Sequence, residues 1–105
     1  MPTPLVYAPT HRIDASNAAA AEKDVLQLFE QGASSLLIDL SGVSYLSSAG
    51  LRVLLIAAKT AKLRGGKTAL AAVQPAVKDI IVMSGFDKLM PICPDRAAGL
   101  SLLQA

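Results

Sequence analysis

An α/β fold, with a small, mostly parallel or mixed sheet of four to five strands and about four helices, is the architecture this sequence predicts. Three observations carry the prediction. Short apolar runs such as Leu36-Leu37-Ile38-Asp39-Leu40 alternate along the chain with longer stretches of helical period. Each helical stretch is long enough to be a crossover, and a crossover makes the strands it joins parallel. The composition is 52% apolar with two Tyr, two Phe and no Trp, so the core has to be built from Ala, Leu, Val and Ile. One hundred and five residues support one core, and residues 1–105 read as a single domain.

The elements follow in order. Pro2, Pro4 and Pro9 bracket Leu5 to Ala8, leaving room only for a short strand, placed at an edge where missing N–H donors do least harm. Asp14 and Ser16 are suitable N-cap residues for a helix whose stripe is Ala18, Ala21, Val25, Leu28 and Phe29, with Gly32 as its stop. Leu36, Leu37, Ile38 and Leu40, flanked by serines and Gly42, suit a buried strand that Asp39 interrupts.

From Leu51 the period changes. Leu51, Leu54, Leu55, Ala58 and Ala61 share one helical face, and Lys62 and Arg64 suit the negative end of the dipole before Gly65 and Gly66 close the helix. Lys67 to Val73 reads as a second inner strand. Gly65-Gly66-Lys67-Thr68 resembles the end of a phosphate-binding loop, but the earlier glycine would fall at Ala61 and the order is helix to strand, so it reads as a turn. Pro75 opens a further helix through Val77, Ile80 and Ile81 to Gly85. Phe86, Leu89 and Met90 should tuck the next loop onto the core. Ile92 and Cys93 make a last strand, and Asp95 caps a final helix with Ala98, Leu102 and Leu103 turned inward.

Between the central strand and its helix lies Ser47-Ser48-Ala49-Gly50. Backbone N–H groups in a first helical turn lack intrahelical partners, and the dipole there is positive, so an anion is favoured. A phosphoryl group on Ser47 or Ser48 would bring about −1.5 to −2 charges to that position. Equally, one serine could simply cap the helix. Helix residues Val53, Ile56 and Ala57 exceed what one buried stripe needs, and serve either as extra core or as a docking face beside Ser48.

The net charge of +2, from ten basic and eight acidic residues, gives little pull on nucleic acid or anionic membrane. No apolar run is long enough to cross a bilayer, and Met1-Pro2-Thr3-Pro4 lacks the features of a secretory signal, so a cytoplasmic protein is expected. With one His and one Cys, neither a metal site nor a cofactor is expected. A serine hydrolase would need a base, and His11 is the single histidine, with no Gly-x-Ser-x-Gly elbow. Catalysis is not expected.

The run Asp39-Leu40-Ser41-Gly42-Val43-Ser44-Tyr45-Leu46-Ser47-Ser48-Ala49-Gly50-Leu51-Arg52 resembles the signature segment of the STAS domain family, in particular the bacterial anti-sigma-factor antagonists. In that family the turn usually reads Asp-Ser-Ser/Thr-Gly-Leu, and its first Ser is phosphorylated by a partner anti-sigma factor that is also a serine kinase. Position by position, the resemblance makes Ser48 the phosphorylatable serine, with Ser47 in place of the Asp, Ala49 in place of the Ser/Thr, and Gly50 and Leu51 matching.

The resemblance implies a STAS-like sheet with helices largely to one side. It also implies a partner-switching regulator that binds the kinase when unmodified, is released by phosphorylation, and is restored by a phosphatase. The expected partner surface comprises Ser47, Ala49, Gly50, Leu51, Arg52, Val53 and Ile56. The alternative is a STAS subunit of a transporter or other signalling complex, a docking module that needs no phosphoserine.

Overall fold

Successive side chains of a strand point to opposite faces, so a strand of continuous apolar residues needs cover on both. In the computed structural model, which describes residues 4–104, the strands are β1 (Leu5–Tyr7), β2 (Leu36–Asp39), β3 (Thr68–Ala71) and β4 (Ile92–Cys93). They lie in sequence order, and every neighbouring pair is parallel, which is the four-stranded limit of the expectation. Leu5 pairs with Leu36, Leu36 with Thr68, and Leu70 with Ile92. β1 is an edge strand, as the prolines around it required; Pro2 lies outside the described residues.

The helices are α1 (Ala18–Glu30), α2 (Ser48–Leu63), α3 (Pro75–Met83) and α4 (Arg96–Gln104), with a 3-10 turn at Phe86–Lys88. Crossovers between parallel strands are right-handed. When each new strand is added on the same side of the last, that handedness sends every connecting helix to one face. Leu36, Ile38 and Leu70 accordingly pack with Val25 and Phe29 of α1, Val53 and Leu54 of α2, and Val77 and Ile81 of α3. The alternate residues Leu37, Ala69 and Ala71 meet Leu103 of α4 on the other face. α4 follows the last strand and is no crossover, so it is free to cover the face the others leave.

α4 lies close. A Cβ at Gly99 would stand 2.4 Å from Leu37 Cδ1, so glycine is what lets the helix reach the sheet. Asp39, on the α4 face, is only 6% exposed, and its Oδ2 accepts from Arg96 Nε at 2.5 Å while its Oδ1 accepts from the Ser41 N–H at 2.9 Å. Burial pushes this carboxyl up, but the hydrogen bonds from Ser41 and Arg96, with the guanidinium charge, outweigh it and hold the group below the usual carboxylate range. The residue that interrupted the apolar run is thus a clasp between β2 and α4.

Several local expectations are corrected. α1 begins after Asn17 rather than at Asp14 or Ser16, because Asp14 Oδ1 accepts from Ser16 N–H and Oγ–H and holds the chain in a turn first. On α2 the core takes Gly50, Val53, Leu54, Ala57 and Ala61, while Leu51, Leu55 and Ala58 are only half-buried. Leu89 is 55% exposed and Leu102 39% exposed, so neither tucks into the core; Met90 and Leu103 do. Gly65 does close α2: at φ +77° it donates to Lys62 O while Gly66 donates to Ala61 O, both satisfying last-turn carbonyls. No helix among the described residues is long and apolar enough to cross a membrane.

Two predictions follow from this packing. At Gly66 an added Cβ would sit 1.7 Å from the Ser34 carbonyl oxygen, so Gly66→Ala should destabilise at or beyond the upper end of the about 1–3 kcal/mol typical of overpacking, measured by urea unfolding. Because the folded Asp39 carboxyl is held low, its contribution is complete above the ordinary carboxylate range and is lost as pH falls below about 4. Arg96→Ala should therefore cost about 1–2 kcal/mol at pH 7 and flatten the acid loss of stability; an unchanged urea midpoint at pH 7 would contradict the clasp.

Candidate functional site

The segment linking β2 to α2 is anchored by Leu40, Val43 and Leu46, all buried, so the serines that follow cannot drift. A second anchor is backbone. Ile13 N–H donates to Tyr45 O at 3.1 Å and Ser47 N–H donates to Ile13 O at 3.0 Å, an isolated parallel bridge between residues 13 and 46. It ties the approach to α1 to the start of α2. A Cβ at Gly50 would lie 2.6 Å from the Ile13 carbonyl oxygen, so the first turn of α2 sits against that strap only because residue 50 has no side chain.

Ser47 is the N-cap. Its backbone is extended, and its Oγ accepts from Ala49 N–H at 3.1 Å and from Gly50 N–H at 3.3 Å. Two of the first-turn donors that an anion might have used are therefore occupied. Ser48 is the first residue of α2 and is exposed. It carries a hydroxyl at the positive end of a 16-residue helix, on the solvent side of a cap that its neighbour completes.

The other expected surface residues divide. Arg52 is exposed, and Ala49, Leu51 and Ile56 are half-buried, so these four accompany Ser48 at or near the surface. Val53, at 2% exposure, is mostly core, and Gly50 is buried against Ile13, so these two expected contact residues offer little surface of their own. The physical reason is the tilt of α2, which turns Gly50, Val53, Leu54 and Ala57 inward in place of Leu51, Leu55 and Ala58.

A cleft of about 220 Å³ opens beside this turn, walled by Ala18, Ala19 and Glu22 of α1 and by Ala49, Arg52 and Val53 of α2. The α1 wall was not legible in the sequence, since nothing local joins residue 22 to residue 52. Tyr45, 41% exposed, lies just before the cap, with the Arg12 guanidinium 4.9 Å from its ring centroid. Arg12 also pairs with Asp14 at 3.0 Å. Among the described residues no three His, Cys, Asp or Glu side chains gather as a metal site would require. The arrangement offers an accessible alcohol with a cationic side chain one turn on, which suits an acceptor of phosphoryl transfer from another protein.

Comparison with known proteins bears on both fold and site. The model of the STAS domain matches residues 2–99. BtrV of Bordetella bronchiseptica, named as a candidate anti-sigma factor antagonist, is 31% identical over 86 residues, covering 82% of this chain and 74% of its own length. An anti-sigma factor antagonist structure from Mycobacterium paratuberculosis superposes with a TM-score of 0.82 at 29% identity, over 96% of this chain and 86% of that one. A candidate antagonist from Thermotoga maritima reaches 0.89 at 19% identity, over 96% of this chain and 88% of that one. A sulfate transporter family protein of Wolinella succinogenes reaches 0.81 at 16% identity, over 98% and 87%, so at low identity the fold alone is shared. Four parallel strands in sequence order, a capped serine turn opening the second helix, and a family match across nearly the whole chain agree: this chain belongs to the STAS domain family.

Proposed function

We propose that the protein is a partner-switching regulator of the anti-sigma-factor antagonist type, and that Ser48 is its switch. The observation that carries the reading is the exposure of Ser48 at the first position of α2, immediately after a serine that already caps the helix. Unmodified, the turn presents a small neutral surface of Ser47, Ser48 and Ala49 with Leu51, Arg52 and Ile56 beside it. An anti-sigma factor that is also a serine kinase docks there and transfers the γ-phosphoryl of ATP to Ser48 Oγ, the hydroxyl proton leaving to a base on the kinase. The new dianion must then be desolvated at a close-packed apolar interface or is repelled by an acidic partner surface, and either cost releases the complex. A phosphatase restores the neutral hydroxyl.

Ser47 stands where the family usually has Asp, and its hydroxyl accepts capping hydrogen bonds from Ala49 and Gly50 N–H as a carboxylate would. What changes is charge. With no carboxylate beside it, Ser48 presents an uncharged acceptor to the kinase, so the added phosphoryl group makes a larger relative change in local charge.

Incubation with a kinase of this class and ATP, followed by mass spectrometric mapping, tests the proposal. Ser48→Ala should lose labelling and keep binding, whereas Ser48→Asp should weaken binding by roughly tenfold or more. Equal labelling of the alanine variant would remove the assignment. Undiminished binding by phosphorylated protein would favour a constitutive docking role instead, as in a transporter complex. Ser47→Ala should lower stability by about 1 kcal/mol, while Ser47→Asp should preserve it, read from urea midpoints of the unmodified proteins.

A further inference from the structure

A second feature lies at the other end of α2, about 17–21 Å along the helix axis from Ser48. There a groove of about 630 Å³ opens between the last turns of α2, the start of β3, the 3-10 turn and the end of α4. Its size falls within the about 300–1,000 Å³ typical of small-ligand sites.

Its chemistry is divided in two. The apolar wall includes Leu55, Leu89, Pro91 and Leu102. Leu89, expected to tuck a loop onto the core, and Leu102, expected on the inner face of the last helix, are left 55% and 39% exposed by the structure. The cationic wall is Lys59, Lys62, Lys67 and Lys88. Among the described residues none of the four forms an ion pair, and no acidic side chain lines the groove. Lys62 also offsets the negative end of α2, but Lys67 and Lys88 lie beyond that helix and are not needed for that purpose.

We infer that this groove binds a single-chain aliphatic amphiphile with an anionic head, a fatty acid carboxylate being the simplest case. The lysines supply point charges for the head, and the leucines and Pro91 supply a surface for the chain. A nucleotide fits the lysines but not the rest, because the lining holds no aromatic ring to stack on a base and no amide or carboxylate to read its edge. An acidic helix from another protein would meet the same charges. However, a helix about 10–12 Å across needs a broader trough than one bounded by four elements at one end of a small domain.

Decanoate, titrated below its micelle concentration and followed by amide NMR, tests the inference. Saturable shifts should be confined to residues around Lys67, Thr68, Leu89 and Leu102, leaving Ser48 unmoved. Decanol, which keeps the chain and loses the charge, should bind roughly tenfold more weakly, and so should the Lys67→Gln/Lys88→Gln double variant, whose melting should match the parent. Leu102→Glu should abolish the shifts. The inference is overturned by non-saturating or scattered shifts, by equal binding of decanol, or by no response to decanoate. It is overturned equally by association only with phosphatidylglycerol vesicles, or by response only to an acidic helical peptide.

Discussion

Residue 13 and residue 50 touch because one of them has no side chain, and much of the molecule depends on that contact. The Ile13 backbone bonds to Tyr45 on one side and Ser47 on the other, and Gly50 lets the first turn of α2 settle against the Ile13 carbonyl. Without this strap the turn between β2 and α2 would be an ordinary surface loop. With it, the cap at Ser47 is formed against fixed backbone, and Ser48 stands exposed at the first position of the helix. The modification proposed for Ser48 needs an accessible residue on a well-placed backbone, and that placement comes from buried neighbours such as Leu46 and Val43.

The sheet imposes a second constraint. Strands laid down in one direction with right-handed crossovers put α1, α2 and α3 on one face, and leave the other exposed unless something returns to it. α4 does so with little apolar area: Leu103, Leu100 and a glycine pressed on Leu37. That thin contact explains the presence of a buried carboxylate in a strand where every other position is apolar. Asp39 reaches the first residue of α4 through Arg96, so a hydrogen-bonded ion pair supplements a small hydrophobic interface. Its partner is half-exposed, which moderates the cost of burying the charge.

The two ends of α2 also differ in kind. At its start the surface is small, hydroxylic and nearly neutral, suited to a change of charge imposed from outside. At its end four lysines stand around apolar side chains without acidic partners among the described residues. One helix thus displays a site defined by what can be added to it and another defined by what its own charges would attract.

Much of this was legible in the chain. The order of strands and helices, their parallel sense and the position of Ser48 at a helix start follow from apolar period, punctuating glycines and prolines, and the hydroxyl-rich turn, all of them local signals. The family likeness was carried mainly by one contiguous run, so it too could be read without a structure. What the sequence left open depends on contacts between distant residues. Whether Val53 or Leu55 faces the core is set by how α2 tilts on α1 and β3, because a helix rich in small apolar residues on several faces has more than one acceptable rotation. The Asp39–Arg96 clasp joins residues 57 apart, and the Glu22 wall of the cleft meets Arg52 only after α1 packs on α2. The exposure of Leu102 has the same origin: periodicity says which residues share a face, but only the packed neighbours decide which faces are covered.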